Sequence, residues 1–257
     1  MHKAIGRLLF TYDYQSGYVC SGTLVQGNND RVIIATAAHC AFDESTKTFP
    51  QYVMFVPGQD DGETDASNWS CADDPYGCFY PTFAVIPRNY YSASNFQQGI
   101  PYDYAFFVAA DSDAGPNNMP VTSSGTATSL QPMGISFNGI NLNQETYLFG
   151  YPADQDNYST GAKLMYTRDM AQSAYRHTGS YGYYLPCSGL SGGASGGPWT
   201  QSDPVTGYMT LQSVNSWGWA QDGLNGMGSP PYTSGAQCVF NAANSRPLNS
   251  GDYVAYC

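Results

Sequence analysis

Apolar residues in this chain come in short runs broken by turn formers, not in long periodic stretches. Leu8-Leu9-Phe10 and Tyr18-Val19-Cys20 read as opening strands. Gly22-Thr23-Leu24-Val25, a turn at Gly27-Asn28-Asn29-Asp30 and Arg31-Val32-Ile33-Ile34-Ala35-Thr36 then form a strand–turn–strand pattern, the mark of a β-hairpin. Residues 41–80 read as loops around one strand, Tyr52-Val53-Met54-Phe55-Val56. An almost unbroken apolar run follows in Tyr104-Ala105-Phe106-Phe107-Val108-Ala109, with Asp103 at its mouth. Residues 111–132 are rich in Ser, Gly, Pro, Asn and Thr and suit a linker between two domains, 1–120 and 121–257. Strands resume at Thr146-Tyr147-Leu148-Phe149, stopped by Gly150-Tyr151-Pro152, at Lys163-Leu164-Met165-Tyr166, and from Tyr208 to Val214. The two halves share a β character without an internal repeat.

Composition agrees with short strands and many turns. Charged residues make up only 11% of the 257, against 15% aromatic residues, 28 Gly and 16 Pro. Heptads are absent, and no apolar stretch approaches the 18 or so residues that cross a bilayer. Nine basic residues against 20 acidic ones give a formal charge of −11, which disfavours nucleic acid and anionic membranes as partners. The acidity reads as solubility. Gln59-Asp60-Asp61-Gly62-Glu63-Thr64-Asp65 has the composition of a calcium loop without the spacing of a known one, so a solvated acidic loop is expected.

Seven cysteines in such a chain point to an oxidising compartment. Cys20 and Cys40 lie equally far from Asp30, so a hairpin centred there pairs them, and it fixes the neighbouring His39. Cys71 and Cys78 enclose a short polar loop and are expected to pair locally. Asn68-Trp69-Ser70 and Asn157-Tyr158-Ser159 are formal glycosylation acceptors. The first seven residues lack the apolar core of a signal peptide, so a secreted form would have lost its leader.

Gly192-Gly193-Ala194-Ser195-Gly196-Gly197-Pro198 suits neither a helix nor an ordinary strand. Glycines let backbone N–H groups approach a bound group closely, which is what acyl transfer from a serine requires. Asp103, at a buried strand mouth, needs a compensating donor, and a histidine N–H is one. The order His39, Asp103, Ser195 separates this chain from subtilisins and α/β-hydrolases, whose triads run in other orders.

Cys20-Ser21-Gly22-Thr23-Leu24 with Thr36-Ala37-Ala38-His39-Cys40 resembles the histidine region of chymotrypsin-like serine endopeptidases. Asp103-Tyr104-Ala105-Phe106 is similar to their aspartate strand, Gly193-Ala194-Ser195-Gly196-Gly197-Pro198 to their nucleophile loop, and Asn215-Ser216-Trp217-Gly218 to one wall of their cleft. The resemblance implies an all-β fold of two antiparallel six-stranded barrels with the active site between them. It implies Ser195 as nucleophile, His39 as general base and acid, and Asp103 as the group that orients the imidazole. It also implies an oxyanion hole from the N–H groups of Gly193 and Ser195, and a hydrogen bond from Ser216 to Asp103. Neither metal nor other cofactor is needed.

Departures from the family refine this. Ala194 stands where proteases activated by a freed N-terminus carry aspartate, and no Ile-Val-Gly-Gly opens the chain, so that switch should be absent. Gly150-Tyr151-Pro152-Ala153-Asp154 is closer to the bacterial and fungal branch that includes glutamyl endopeptidases, although Asn215 replaces the histidine of glutamate-specific relatives. Six residues before Ser195, Gly189 lies at the pocket floor where trypsins have aspartate. With Leu190, Asn215, Trp217 and Gly218 it suggests an uncharged pocket for an apolar side chain before the cut bond. By the family pattern Cys187 and Cys238 clamp the pocket loops, leaving Cys257 free or as a replacement partner. His2 falls in a tail and His177 in an exposed loop. The expectation is a secreted, monomeric endopeptidase acting on proteins or peptides. The alternatives are a glutamate-specific enzyme and an inactive homologue that serves as a binding module.

Overall fold

A computed structural model describes residues 2–28, 31–59, 74, 76–109, 130–153, 163–175, 181–186, 189–218 and 226–257. The first half carries six strands: β1 (Ile5–Thr11), β2 (Gly17–Gln26), β3 (Val32–Thr36), β4 (Tyr52–Pro57), β5 (Phe83–Pro87) and β6 (Ala105–Ala109). Two short helices, α1 (Arg88–Tyr91) and α2 (Phe96–Gly99), lie between β5 and β6. In the second half are β7 (Gly134–Ile135), β8 (Glu145–Gly150), β9 (Met165–Met170), β10 (Gln172–Tyr175) and β11 (Tyr181–Leu185). After them come β12 (Pro198–Ser202), β13 (Met209–Val214), β14 (Trp217–Gly218), β15 (Met227–Ser229), α3 (Ser234–Ser245) and β16 (Tyr253–Ala255).

The strands form three sheets: β16-β5-β6-β3-β2-β1-β4, β7-β13-β12-β8-β9 and β10-β11-β15-β14. This differs from two six-stranded barrels. The six strands of the first half gain a seventh, because β16 returns from the C-terminus to lie parallel to β5. In the second half the chain turns from one sheet to the other at the buried Ala171, between β9 and β10. No sheet closes on itself among the described residues. Between the named strands, pairing is antiparallel except for β16 with β5 and β7 with β13.

α3 had no counterpart in the strand pattern, although its buried Ala236, Val239, Phe240 and Ala243 follow helical spacing. Phe240 packs edge-on against Phe106 of β6, so the helix covers the first sheet. A disulfide ties it to the chain end: Cys238 pairs with Cys257. This corrects the expected Cys187–Cys238 bond, since β16 carries Cys257 back to the helix. Cys20 pairs with Cys40. Cys78 is disulfide-bonded; its expected partner Cys71 and Cys187 lie outside the described residues, as do Asn68, Asn157, His177 and most of the acidic loop.

Register is what positions the site. Thr36 at the end of β3 faces Ala105 at the start of β6, so the residues just after β3 and just before β6 meet at one sheet end. In the second half Pro198 at the start of β12 faces Val214 at the end of β13, which puts the loop before β12 beside the residues after β13. One buried apolar cluster runs from Leu24, Ile33 and Phe106 through Phe149, Tyr151 and Val214, joining the halves. No helix of the described residues is long and apolar enough to cross a membrane.

Candidate active site

The first sheet end brings His39 and Asp103 together. Ala38–Cys40 is a single 3-10 turn after β3, and the Cys20–Cys40 disulfide anchors it. Asp103 follows another such turn and is fully buried. Its Oδ1 accepts the His39 backbone N–H at 2.8 Å, and Oδ2 lies 2.8 Å from His39 Nδ1. Ser216 Oγ donates to the same Oδ2. With both oxygens already accepting, the ring contact is Nδ1–H donating, which leaves Nε2 with its lone pair. Burial of the ring lowers the His39 pKa, but the Asp103 charge and hydrogen bond, helped by Glu44, outweigh it and raise the value above the ordinary 6.5. The imidazole side chain remains 24% exposed and open to the cleft.

The glycine loop around Ser195 is held from the other half of the chain. Ser21 donates its backbone N–H to Ser195 O at 2.6 Å. Its hydroxyl donates to Gly193 O at 2.9 Å and accepts the Tyr151 N–H at 2.8 Å. Thr36 Oγ1 donates to Ser21 O at 2.9 Å, closing the clamp on the first sheet. Sequence reasoning passed over Ser21, treating it only as part of the segment around Cys20; its partner Gly193 is 172 residues away. Two glycines are obligatory for this fit. Gly193 has φ +90°, and a Cβ there would lie 2.7 Å from Tyr151 O. Gly196 has φ +79°, and its Cβ would lie 2.0 Å from Thr36 Oγ1. Among the described hydrogen bonds, neither the Gly193 N–H nor the Ser195 N–H has an acceptor.

His39, Gly193 and Ser195 line one open cavity of about 570 Å³. The described hydrogen bonds do not include one between the Ser195 hydroxyl and the imidazole. Phe96 of α2 meets the imidazole edge-on, with centroids 5.5 Å apart. The expected pocket residues divide. A Cβ on Gly189 or Gly218 would meet no atom of the described residues, whereas Leu190 packs on the cluster of Leu148, Leu185 and Trp199. The Trp217 ring fills the space beside Gly182 and Gly228. Asn215 turns inward: Nδ2 donates to Phe149 O and Ala194 O, and Oδ1 accepts from Trp199 Nε1. It supports the loop from behind, is fully buried and does not line the cavity. Ala194 is fully buried and packs where a Cβ on Gly150 would be only 2.7 Å from its own.

No family model matches the sequence, and no curated protein matches it either. Solved structures do. The protease Anisep from Arthrobacter nicotinovorans is 29% identical over 95% of this chain and 96% of its own, with a TM-score of 0.69. The thermostable serine protease AL20 from an extremophilic microorganism is 26% identical over 96% and 99%, with a TM-score of 0.70. A Glu endopeptidase matches at 17% identity over 95% and 92%, with a TM-score of 0.61, a likeness of fold alone. Over nearly its whole length, then, this chain is similar in structure to proteases, a serine protease among them.

Proposed function

We propose that the chain is a secreted, monomeric serine endopeptidase of the chymotrypsin-like kind, built as two β units, 1–120 and 121–257, each the counterpart of a barrel. The observation that carries this reading is the Asp103–His39 pair, backed by Ser216, opening into the cavity that holds Ser195 and two backbone N–H groups without acceptors among the described residues. Ser195 Oγ attacks the scissile carbonyl, and Nε2 of His39 takes its proton. The oxyanion settles between the N–H groups of Gly193 and Ser195. His39 then protonates the leaving amine, and water repeats the cycle in reverse to free the acyl group. Asp103 keeps the ring in one tautomer and stabilises the imidazolium. The Ser195–His39 hydrogen bond closes when substrate enters, as such contacts do in sites that are loose when empty.

Gly189 and Gly218, with no described residue within 4 Å of a Cβ at either, favour an uncharged, apolar side chain before the cut bond. Asn215, buried inside the loop, gives no support to a glutamate-specific pocket. Ala194 supplies no carboxylate for an N-terminal activation switch. The Cys20–Cys40 and Cys238–Cys257 disulfides fit export to an oxidising compartment. A serine-directed phosphonate should label Ser195 stoichiometrically, and Ser195→Ala should lower peptide hydrolysis by about 10⁴-fold or more. An unlabelled chain that cuts neither casein nor a peptide library would instead support an inactive binding module.

A further inference from the structure

The cavity holding His39 and Ser195 extends past the Cys20–Cys40 disulfide to an end whose chemistry the acyl half of the reaction does not use. Tyr12, Tyr18, Asp43 and Glu44 line that end. Gly189, Leu190, Trp217 and Gly218, assigned to the acyl side, do not line the cavity at all. His39 hands its proton to the departing amine, so the peptide beyond the cut bond runs on the His39 side of Ser195. That path leads into this end.

One wall is aromatic and held in place. Tyr12 meets Tyr18 edge-on at 5.6 Å, and Tyr18 stacks on Phe10 at 5.6 Å while staying 47% exposed. The same end also carries two acidic residues. Asp43 is set by Ser45 and Thr46, whose N–H and hydroxyl groups its oxygens accept. The Glu44 carboxylate receives only a long 3.5 Å contact from the Tyr90 hydroxyl. Lys47 is turned away, with Nζ donating to Tyr91 O and Ala93 O. No lysine or arginine among the described residues lines the cavity. Burial, together with the charges of Asp43 and Glu44, pushes the Tyr12 phenol pKa up. Carboxylates that share a cavity with aromatic rings, with no cation beside them among the described residues, recognise a positive charge that can also lie on a ring face.

We infer that this end of the cleft is a subsite for an arginine or lysine side chain within the first two residues after the cut bond, with Glu44 as its specificity-determining carboxylate. The inference rests on the endopeptidase reading above. Peptides sharing one acyl half and carrying arginine, citrulline or glutamate after the cut bond test it, assayed by kcat/KM with the wild type and with Glu44→Gln. Arginine should exceed citrulline by about tenfold at low ionic strength, and the ratio should shrink as salt is added. In Glu44→Gln the ratio should fall to about twofold or less, and Tyr18→Leu should lower it partway. Because each ratio compares two substrates on one enzyme, any effect of Glu44 on His39 cancels. A wild-type ratio near one, a preference for glutamate, or a ratio unchanged in Glu44→Gln overturns the subsite while leaving the endopeptidase intact. Absence of both peptide cleavage and Ser195 labelling removes the enzyme reading itself, and the subsite with it.

Discussion

Replacing Ser21 by alanine deletes one buried hydroxyl that serves two backbone groups from the other half of the chain. It donates to Gly193 O at 2.9 Å and accepts the Tyr151 N–H at 2.8 Å. Alanine removes both of these hydrogen bonds at a position where Ser21 is 0% exposed. Each such loss costs about 1–3 kcal/mol, so the unfolding free energy should fall by about 2–6 kcal/mol. The effect on turnover follows from position. Gly193 O belongs to the peptide between the two N–H groups of the proposed oxyanion hole. Removing an oxyanion donor outright costs about 10²–10³ in kcat. Here the donor is loosened, not deleted, so kcat should drop by about 10- to 100-fold while KM changes by less than about threefold. The assay is kcat and KM on one fluorogenic peptide, normalised to sites titrated with an active-site phosphonate, alongside urea unfolding. A kcat per titrated site within twofold of wild type, even in a destabilised protein, would show that the loop holds its shape without Ser21.

Three further outcomes are expected. Gly196→Ala drives a methyl to 2.0 Å from Thr36 Oγ1 and 2.4 Å from Ser21 O at φ +79°; it should destabilise by at least about 3 kcal/mol and abolish phosphonate labelling, and a variant with a wild-type melt and full labelling would contradict the packing. His39 must be neutral to act as base, and its pKa is raised, so kcat/KM on an uncharged peptide should rise with pH to a midpoint above 6.5. That midpoint should move down in Glu44→Gln, where one raising charge is gone; a midpoint below 6.5 in the wild type would refute the assignment. Cys257→Ser opens the disulfide to Cys238, 19 residues away, and should cost about 3 kcal/mol in chemical denaturation with kcat nearly unchanged.

Much of the site was legible locally. The Thr36-Ala37-Ala38-His39-Cys40 segment, the acid before the Ala105–Ala109 run and the glycines around Ser195 are statements about single strands and turns, which neighbouring residues encode. The equal spacing of Cys20 and Cys40 about Asp30 held for the same reason, since a hairpin is local. Helix α3 was written in the spacing of Ala236, Val239, Phe240 and Ala243 but was overshadowed by the strand-like character of the rest.

Taken alone, the sequence determined a β-rich chain of short strands, a candidate histidine, aspartate and serine in a distinctive order, and a glycine loop able to bring N–H groups close to a ligand. Only the tertiary structure decided that β16 returns to the first sheet and carries Cys257 to Cys238. It likewise decided that Ser21 grips Gly193, that Asn215 faces inward, and that Glu44 shares a cavity with Tyr18. These contacts join residues far apart in the chain, and strand register and sheet packing select them. A short segment specifies its own φ and ψ, but which distant side chain completes its hydrogen bonds depends on every strand laid between them.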